Sequence, residues 1–321
     1  MSLDRLLTDA GVADVLHRLA LAVEPVDAVT RSPAALVRVG LETSRLMDRL
    51  TRPPRRPGPA DPAARLRPVQ PLPPLRGNGS RFVLRHGPDL PETGPAQPPG
   101  ALPRGPRVRI RLDDARRRWV PRRLDAEIWT LAEVQAIDPA PDRAAVAGPY
   151  LRAASRLIRP WLLPGSGYAF GVGSTGLRLR VTRAGRPVPW TRVQALDDQL
   201  DLIGWAHGDD RGEVLLLLDS LGPQFPPDAS RGDITLRVHW PDPAVPVGPG
   251  LPPTEPQPAA DPLRSLPVEP VDRIVVPPGT DPPDGDVMRG LAVPAGYLTA
   301  PDAVRTLTLG EVLPAPDLII A

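Results

Sequence analysis

Residues Arg107-Val-Arg-Ile-Arg-Leu112 alternate without a break between arginine and an aliphatic side chain. A period of two predicts a strand with one face buried. The alternation returns at Leu177–Val181 and at Asp233–Trp240, and Glu213–Asp219 is a nearly continuous apolar run. Val188–Leu196 and Leu202–Ala206 read as further strands between them. Turn signals separate these runs at Ala184-Gly185-Arg186-Pro187 and at Gly208-Asp209-Asp210-Arg211-Gly212. Short strands at this spacing predict a β-sandwich or barrel. After a turn at Asp113-Asp114, Trp119-Val120 resumes an extended run, and Leu124, Ala126 and Ile128 carry the alternation on. A helix is predicted over Gly148–Leu157.

The start of the chain reads differently. Leu3, Leu6, Leu7, Ala10, Val15, Leu19 and Ala22 roughly follow the spacing of one helix face, with Ser2 or Asp4 as candidate caps. Pro25 and Pro33 bracket a break. Ala35, Leu36, Val39, Leu46, Met47 and Leu50 then predict a second helix, ending before Pro53 and Pro54. The stretch 52–106 holds 16 prolines and 7 glycines in 55 positions, so an extended, polyproline-like arm is predicted, with one short strand at Ser80–Arg85. Residues 241–321 carry 19 prolines in 81, with strand candidates at Arg273–Val276 and Arg305–Leu309 and an apolar end at Leu318–Ile320. The predicted divisions are a helical segment 1–51, an arm 52–106, a hairpin and linker 107–165, a β-sandwich 166–241 and a proline-rich extension 242–321.

Composition narrows the class. Proline and glycine together supply 76 of 321 residues, about 24 %, against ~12 % in average usage. That argues against a helical bundle, a coiled coil or a doubly wound sheet. A hydrophobic share of 41 % still provides a core. No apolar run approaches the ~18 residues of a membrane helix and no signal peptide is evident, so a cytoplasmic protein without a membrane span is expected. There is no cysteine and no lysine; all 39 cations are arginine, and the net charge is only +2.

Candidate chemistry is sparse. Arg116, Arg117, Arg118, Trp119, Arg122 and Arg123 form the densest cationic cluster and the candidate interface for an acidic partner. Base stacking on Trp119 is disfavoured by Asp113, Asp114, Asp125 and Glu127 around it, so no nucleic-acid partner is expected. His207 beside Asp209 and Asp210 reads as hairpin turn chemistry rather than a metal or acid–base site. His17, His86 and His239 sit in unrelated segments without metal-ligand spacing. Asp197, Asp198 and Asp201 lack the central glycine and trailing glutamate of a calcium loop. Gly165-Ser166-Gly167 and Gly171–Gly176 have no following lysine, so they are not phosphate loops, and they read as a flexible approach to the sandwich. No catalytic residue, metal or cofactor is assigned. The six tryptophans (Trp119, Trp129, Trp161, Trp190, Trp205, Trp240) read as core or subunit contacts; sugar binding would need a row of them exposed.

The segment from Thr175 to Trp240 resembles a transthyretin-like (prealbumin-like) or carboxypeptidase-regulatory-like β-sandwich. The likeness rests on Leu177–Val181, Gly185-Arg186-Pro187-Val188, Val193 and the hairpin His207–Val214. Trp190 stands where a small residue is usual, and Val214 replaces an aromatic. The expected fold is therefore mainly β, with a transthyretin-like sandwich core, an N-terminal helical pair and long proline-rich arms. Over a wider span, Arg116-Arg117-Arg118-Trp119-Val120-Pro121-Arg122-Arg123, Arg159-Pro160, Leu163-Pro164-Gly165 to Tyr168 and Gly204–Glu213 resemble sandwich-containing proteins of bacterial contractile injection systems, the phage-tail-like particles. That resemblance implies a structural, non-enzymatic subunit. It would be a ring-forming cap or terminator that binds sheath, tube or other cap proteins, a homo-oligomer with six-fold symmetry. A baseplate adaptor and a carbohydrate-binding sandwich are the alternatives. A transthyretin-like hydrolase is disfavoured because the chain ends Leu318-Ile319-Ile320-Ala321 and lacks that family's C-terminal tetrapeptide.

Overall fold

The computed structural model describes residues 18–42, 69–71, 80–87, 90, 106–131, 133, 134, 153–218, 230–244, 262–277 and 280–320. They are mainly β, arranged around two apolar cores.

The first core lies between two sheets. One has the order β5 (Phe82–Arg85), β1 (Leu19–Val23), β8 (Leu157–Ile158). The other runs β16 (Val268–Val271), β7 (Arg122–Glu127), β6 (Arg107–Asp113), β3 (Arg38–Glu42), β4 (Val69–Pro71). The alternation in β6 works as predicted: Val108, Ile110 and Leu112 are buried in this core. β2 (Val26–Asp27) and β9 (Trp161–Leu162) pair in parallel beside it.

The helical pair is corrected wherever the structure describes it. Residues 18–42 form β1, β2 and β3; 1–17 and 43–50 lie outside the described residues. The physical reason is visible in Leu19-Ala20-Leu21-Ala22-Val23. All five are buried, with Leu21 and Val23 in the main core and Leu19 and Ala22 in a second cluster with Val83 and Leu157. A strand buried on both faces is apolar throughout and so mimics part of a helical stripe. Pro25 forbids the helix from continuing. The helix predicted over Gly148–Leu157 is, where described, a 3-10 turn at Ala153–Arg156 leading into β8. Of the predicted arm, Val69–Pro71 and Phe82–Arg85 are strands of these sheets, and most of the remainder is outside the described residues.

The second core is enclosed by two five-stranded sheets. In one, β10 (Thr175–Arg183) is flanked by β14 (Glu213–Leu218) and β11 (Arg186–Pro187) on one side. On the other side lie β19 (Val312–Pro314) and β20 (Leu318–Ile320), both parallel to it. The other sheet runs β13 (Leu202–His207), β12 (Arg192–Leu196), β15 (Arg231–Pro241), with β17 (Tyr297–Thr299) and β18 (Ala303–Thr308) both on the far side of β15. The loop between β10 and β11 is Ala184-Gly185, both at positive φ (47° and 73°), as a two-residue hairpin requires.

Residues 242–321 are thus built into both bodies. They supply β16 to the first and four strands to the second. The strand predicted at Arg273–Val276 is unpaired; the pairing segment is the preceding Val268–Val271. A one-turn helix, α1 (Asp286–Arg289), ends at Gly290 with φ 72°. The amides of Gly290 and Leu291 return to the carbonyls of Val287 and Asp286, a Schellman closure.

Candidate functional site

The arginine-rich segment lies at the junction of the two bodies. Of its candidate residues, Arg116 is exposed, Arg117 and Arg118 are half-buried, and Trp119, Arg122 and Arg123 are buried. They do not form one surface. The side chains of Arg117, Arg118, Arg122 and Arg123 pair with different carboxylates of the same chain.

Arg122 lies at the centre, with no exposed side-chain surface. Its Nε donates to Glu269 Oε1 (3.1 Å) and Nη2 to Glu269 Oε2 (2.5 Å). Nη1 donates to the carbonyls of Trp161 (2.9 Å) and Met288 (2.8 Å), and Nη2 also to that of Val287. All five N–H groups of this guanidinium therefore have acceptors, and one side chain ties β7 to β16, β9 and α1. Glu269 also receives Arg192 Nη2 from β12 across the junction (3.1 Å). Arg192 Nε and Nη1 are buried without a partner. One buried carboxylate thus faces two buried guanidiniums.

His207 is the cross-strand neighbour of Arg192. Its Nε2 lies 2.6 Å from the Gly290 carbonyl. A carbonyl only accepts, so Nε2 carries the proton and Nδ1 is bare; Nδ1 is buried and has no partner. Burial, with Arg192 and Arg122 adding to it, holds this imidazole well below its ordinary range.

Around this centre the contacts are local and specific. Arg117 clamps Asp210 with both Nη atoms (2.7 and 3.2 Å) and reaches Asp209 (3.3 Å). Asp209 Oδ1 accepts the amides of Arg211 and Glu213, which is the turn chemistry expected of this hairpin. Burial pushes the Asp209 carboxyl up despite those amides. Arg118 pairs with Asp114 (2.8 Å) and lies over the Trp119 ring. Arg123 joins Arg109 and Arg111 around Glu42 in a largely buried cluster on the face of β3, β6 and β7 that lies away from the first core. Trp190 is buried with Val120 and Leu266, and its Nε1 donates to Ser265. Tyr297 donates to the Trp190 carbonyl (2.7 Å), and burial pushes its phenol up to about 12. Trp161 and Trp205 stack at 6.1 Å with Arg31 and Arg289 against them.

The glycine motif has a definite role. A Cβ at Gly165 would lie 2.5 Å from the Arg117 carbonyl oxygen, and one at Gly167 2.4 Å from that of Arg116. The two glycines let 165–167 run in backbone contact with the arginine loop, donating to the carbonyls of Arg118 and Arg117. None of the six tryptophans is exposed. Asp197 accepts the amides of Gln199 and Asp201 in a turn. His86 and His239 make hydrogen bonds remote from His207, and His17 lies outside the described residues.

Sequence reasoning missed Glu269, Glu42 and Gly290. The available signal was a lone acid inside the apolar stretch Leu266-Pro-Val-Glu-Pro-Val271, because a buried carboxylate requires a cation. A pocket of about 70 Å³ lies beside β1, β8 and β16, lined by Trp129, Arg156, Arg273 and Met288 among others. Ligand sites run to ~300 Å³ and above. No family model matches the chain, and no curated protein or solved structure does either.

Proposed function

We propose that the chain is a structural, non-enzymatic subunit of a contractile injection system particle, a ring-forming cap or terminator that seats on the end of the sheath and tube. The observation that carries this reading is the junction: Arg122 of the Arg116–Arg123 segment and Arg192 of the second body share the buried Glu269, and Arg117 pairs with Asp210 of the second body, so the segment joins two β bodies rather than lining a pocket. A subunit that must hold its shape within a stacked assembly benefits from such a joint. Among the described residues β18 and β20 are each paired on one side only, and they expose Val304 (62 %) and Ile319 (77 %). Edges of this kind can extend a neighbour's sheet. In this reading the second body is a transthyretin-like sandwich, supported by the Ala184-Gly185 and Asp209–Gly212 hairpins and their positive-φ glycines. Six-fold symmetry rests on the family resemblance alone.

The test is sedimentation of the native host lysate with mass spectrometry of the heaviest fraction. Co-pelleting with sheath and tube proteins at a low, ring-like stoichiometry is expected. Retention in the soluble fraction while particles pellet would overturn the cap reading.

A further inference from the structure

We propose that the junction between the two β bodies is an acid-sensitive latch, with His207 as the group that releases it. His207 sits at the end of β13, and its Nε2–H is committed to the Gly290 carbonyl at the close of α1. A second proton must therefore go on Nδ1. That nitrogen is buried from solvent and has no hydrogen-bond partner among the described residues.

The charged groups that face the ring make the new charge worse. Arg192 is its cross-strand neighbour on β12, and Arg122 reaches in from β7. Glu269 on β16 already serves both guanidiniums. Arg289, one residue before Gly290, is also cationic and lies against Trp161 and Trp205. The Tyr297 phenol near Arg192 stays neutral. Asp209, two residues further on, is taken by Arg117 and by backbone amides. A protonated ring would thus place a third cation against one carboxylate in a site shielded from solvent.

Separation of α1 and β16 from the β12–β13 face relieves this. It hydrates His207 and also the Nε and Nη1 donors of Arg192, which have no partner in the closed state. The sign follows directly. The ring is neutral when the junction is closed and takes its proton at about 6.5 once solvated. Closure is complete above that pH and weakens as pH falls below it. The latch belongs to the isolated chain and holds whatever the chain assembles with.

The test is hydrogen–deuterium exchange of the full chain from about pH 7.5 to about pH 5.5, corrected for intrinsic exchange rates. Peptides covering Val268–Val271 and Asp286–Leu291 report the junction, and peptides from β10 and β15 serve as internal reference. We expect junction protection to be lost towards acid while β10 and β15 stay protected. His207→Gln, whose side-chain amide can still donate to Gly290, is expected to abolish the response. His239→Gln, on the far side of Arg192, is expected to keep it. Constant junction protection, loss in step with β15, an unchanged response in H207Q or a lost one in H239Q would each overturn the latch. Should H207Q not fold, Arg192→Met carries the test. With one cation fewer beside the ring the closed form resists protonation less, so the acid loss of protection shrinks, and an unchanged loss overturns the proposal.

Discussion

At the scale of single residues, the junction is governed by charge balance in a buried site. Glu269 is 3 % exposed, and among the described residues it is the only carboxylate paired with Arg122 and Arg192. Removing one partner of a buried ion pair leaves an uncompensated charge and typically costs ~3–5 kcal/mol, whereas replacing the whole group with apolar side chains is often neutral or stabilising. Glu269→Ala is therefore expected to lower unfolding stability by about 3–5 kcal/mol in urea titrations. The combined replacement E269L/R122M/R192M is expected to recover only part of that loss, because it also removes the Arg122 donors from buried backbone carbonyls. A loss below about 1 kcal/mol for E269A would mean that Glu269 does not hold the two arginines in solution. Arg122 is the more demanding member, because the Trp161 and Met288 carbonyls would also lose the donor that it supplies.

At the scale of elements, what the sequence revealed depended on whether one face of a strand is wet. β6, β10 and β15 were legible because arginine, threonine or aspartate alternates with buried aliphatics. β1 was not, since both its faces are covered. β16 was hidden by Pro270 and by Glu269, a buried acid whose partners lie 77 and 147 residues away along the chain. The candidate site shows the same division. The Arg116–Arg123 cluster stood out by density. That Arg122 and Arg123 point into the protein follows only from carboxylates brought by β16 and β3. Gly165-Ser166-Gly167 was visible as a motif, but its purpose needs the opposing loop. A testable contrast follows. Gly165→Ala forces a methyl to within 2.5 Å of the Arg117 carbonyl oxygen, whereas a Cβ at Gly171 meets nothing within 4 Å. Overpacking of this kind costs ~1–3 kcal/mol, so G165A is expected to lower the thermal midpoint by several degrees and G171A to leave it within about a degree. Equal midpoints for the two would show that the arginine loop moves freely away from 165–167.

At the scale of the whole molecule, the proline-rich C-terminal region is part of the architecture. A body ending at Trp240 would contain β10 to β15 and lack β17, β18, β19 and β20. Those four strands cover one flank of β10 and one flank of β15, and they place Leu307, Leu318 and Ile320 in the second core. The same region sends Glu269 and the α1 carbonyls to Arg122 and Gly290 to His207, so its loss would open the junction as well. Proline is compatible with this because it lies where little ladder pairing is asked of it. Pro270 is in a strand paired on one side among the described residues, Pro314 ends β19, and Pro316 lies in the short connection 315–317 to β20. A chain truncated after residue 296 is therefore expected to lose cooperative unfolding and the dispersed amide spectrum of the second body. Leu318→Asp in the full chain, which sets a charge in that core, is expected to act in the same direction but less completely. A truncated chain that keeps a dispersed spectrum and a sharp transition would mean that β10 to β15 form a sufficient core by themselves, and that the C-terminal strands are an addition to it rather than one half of its closure.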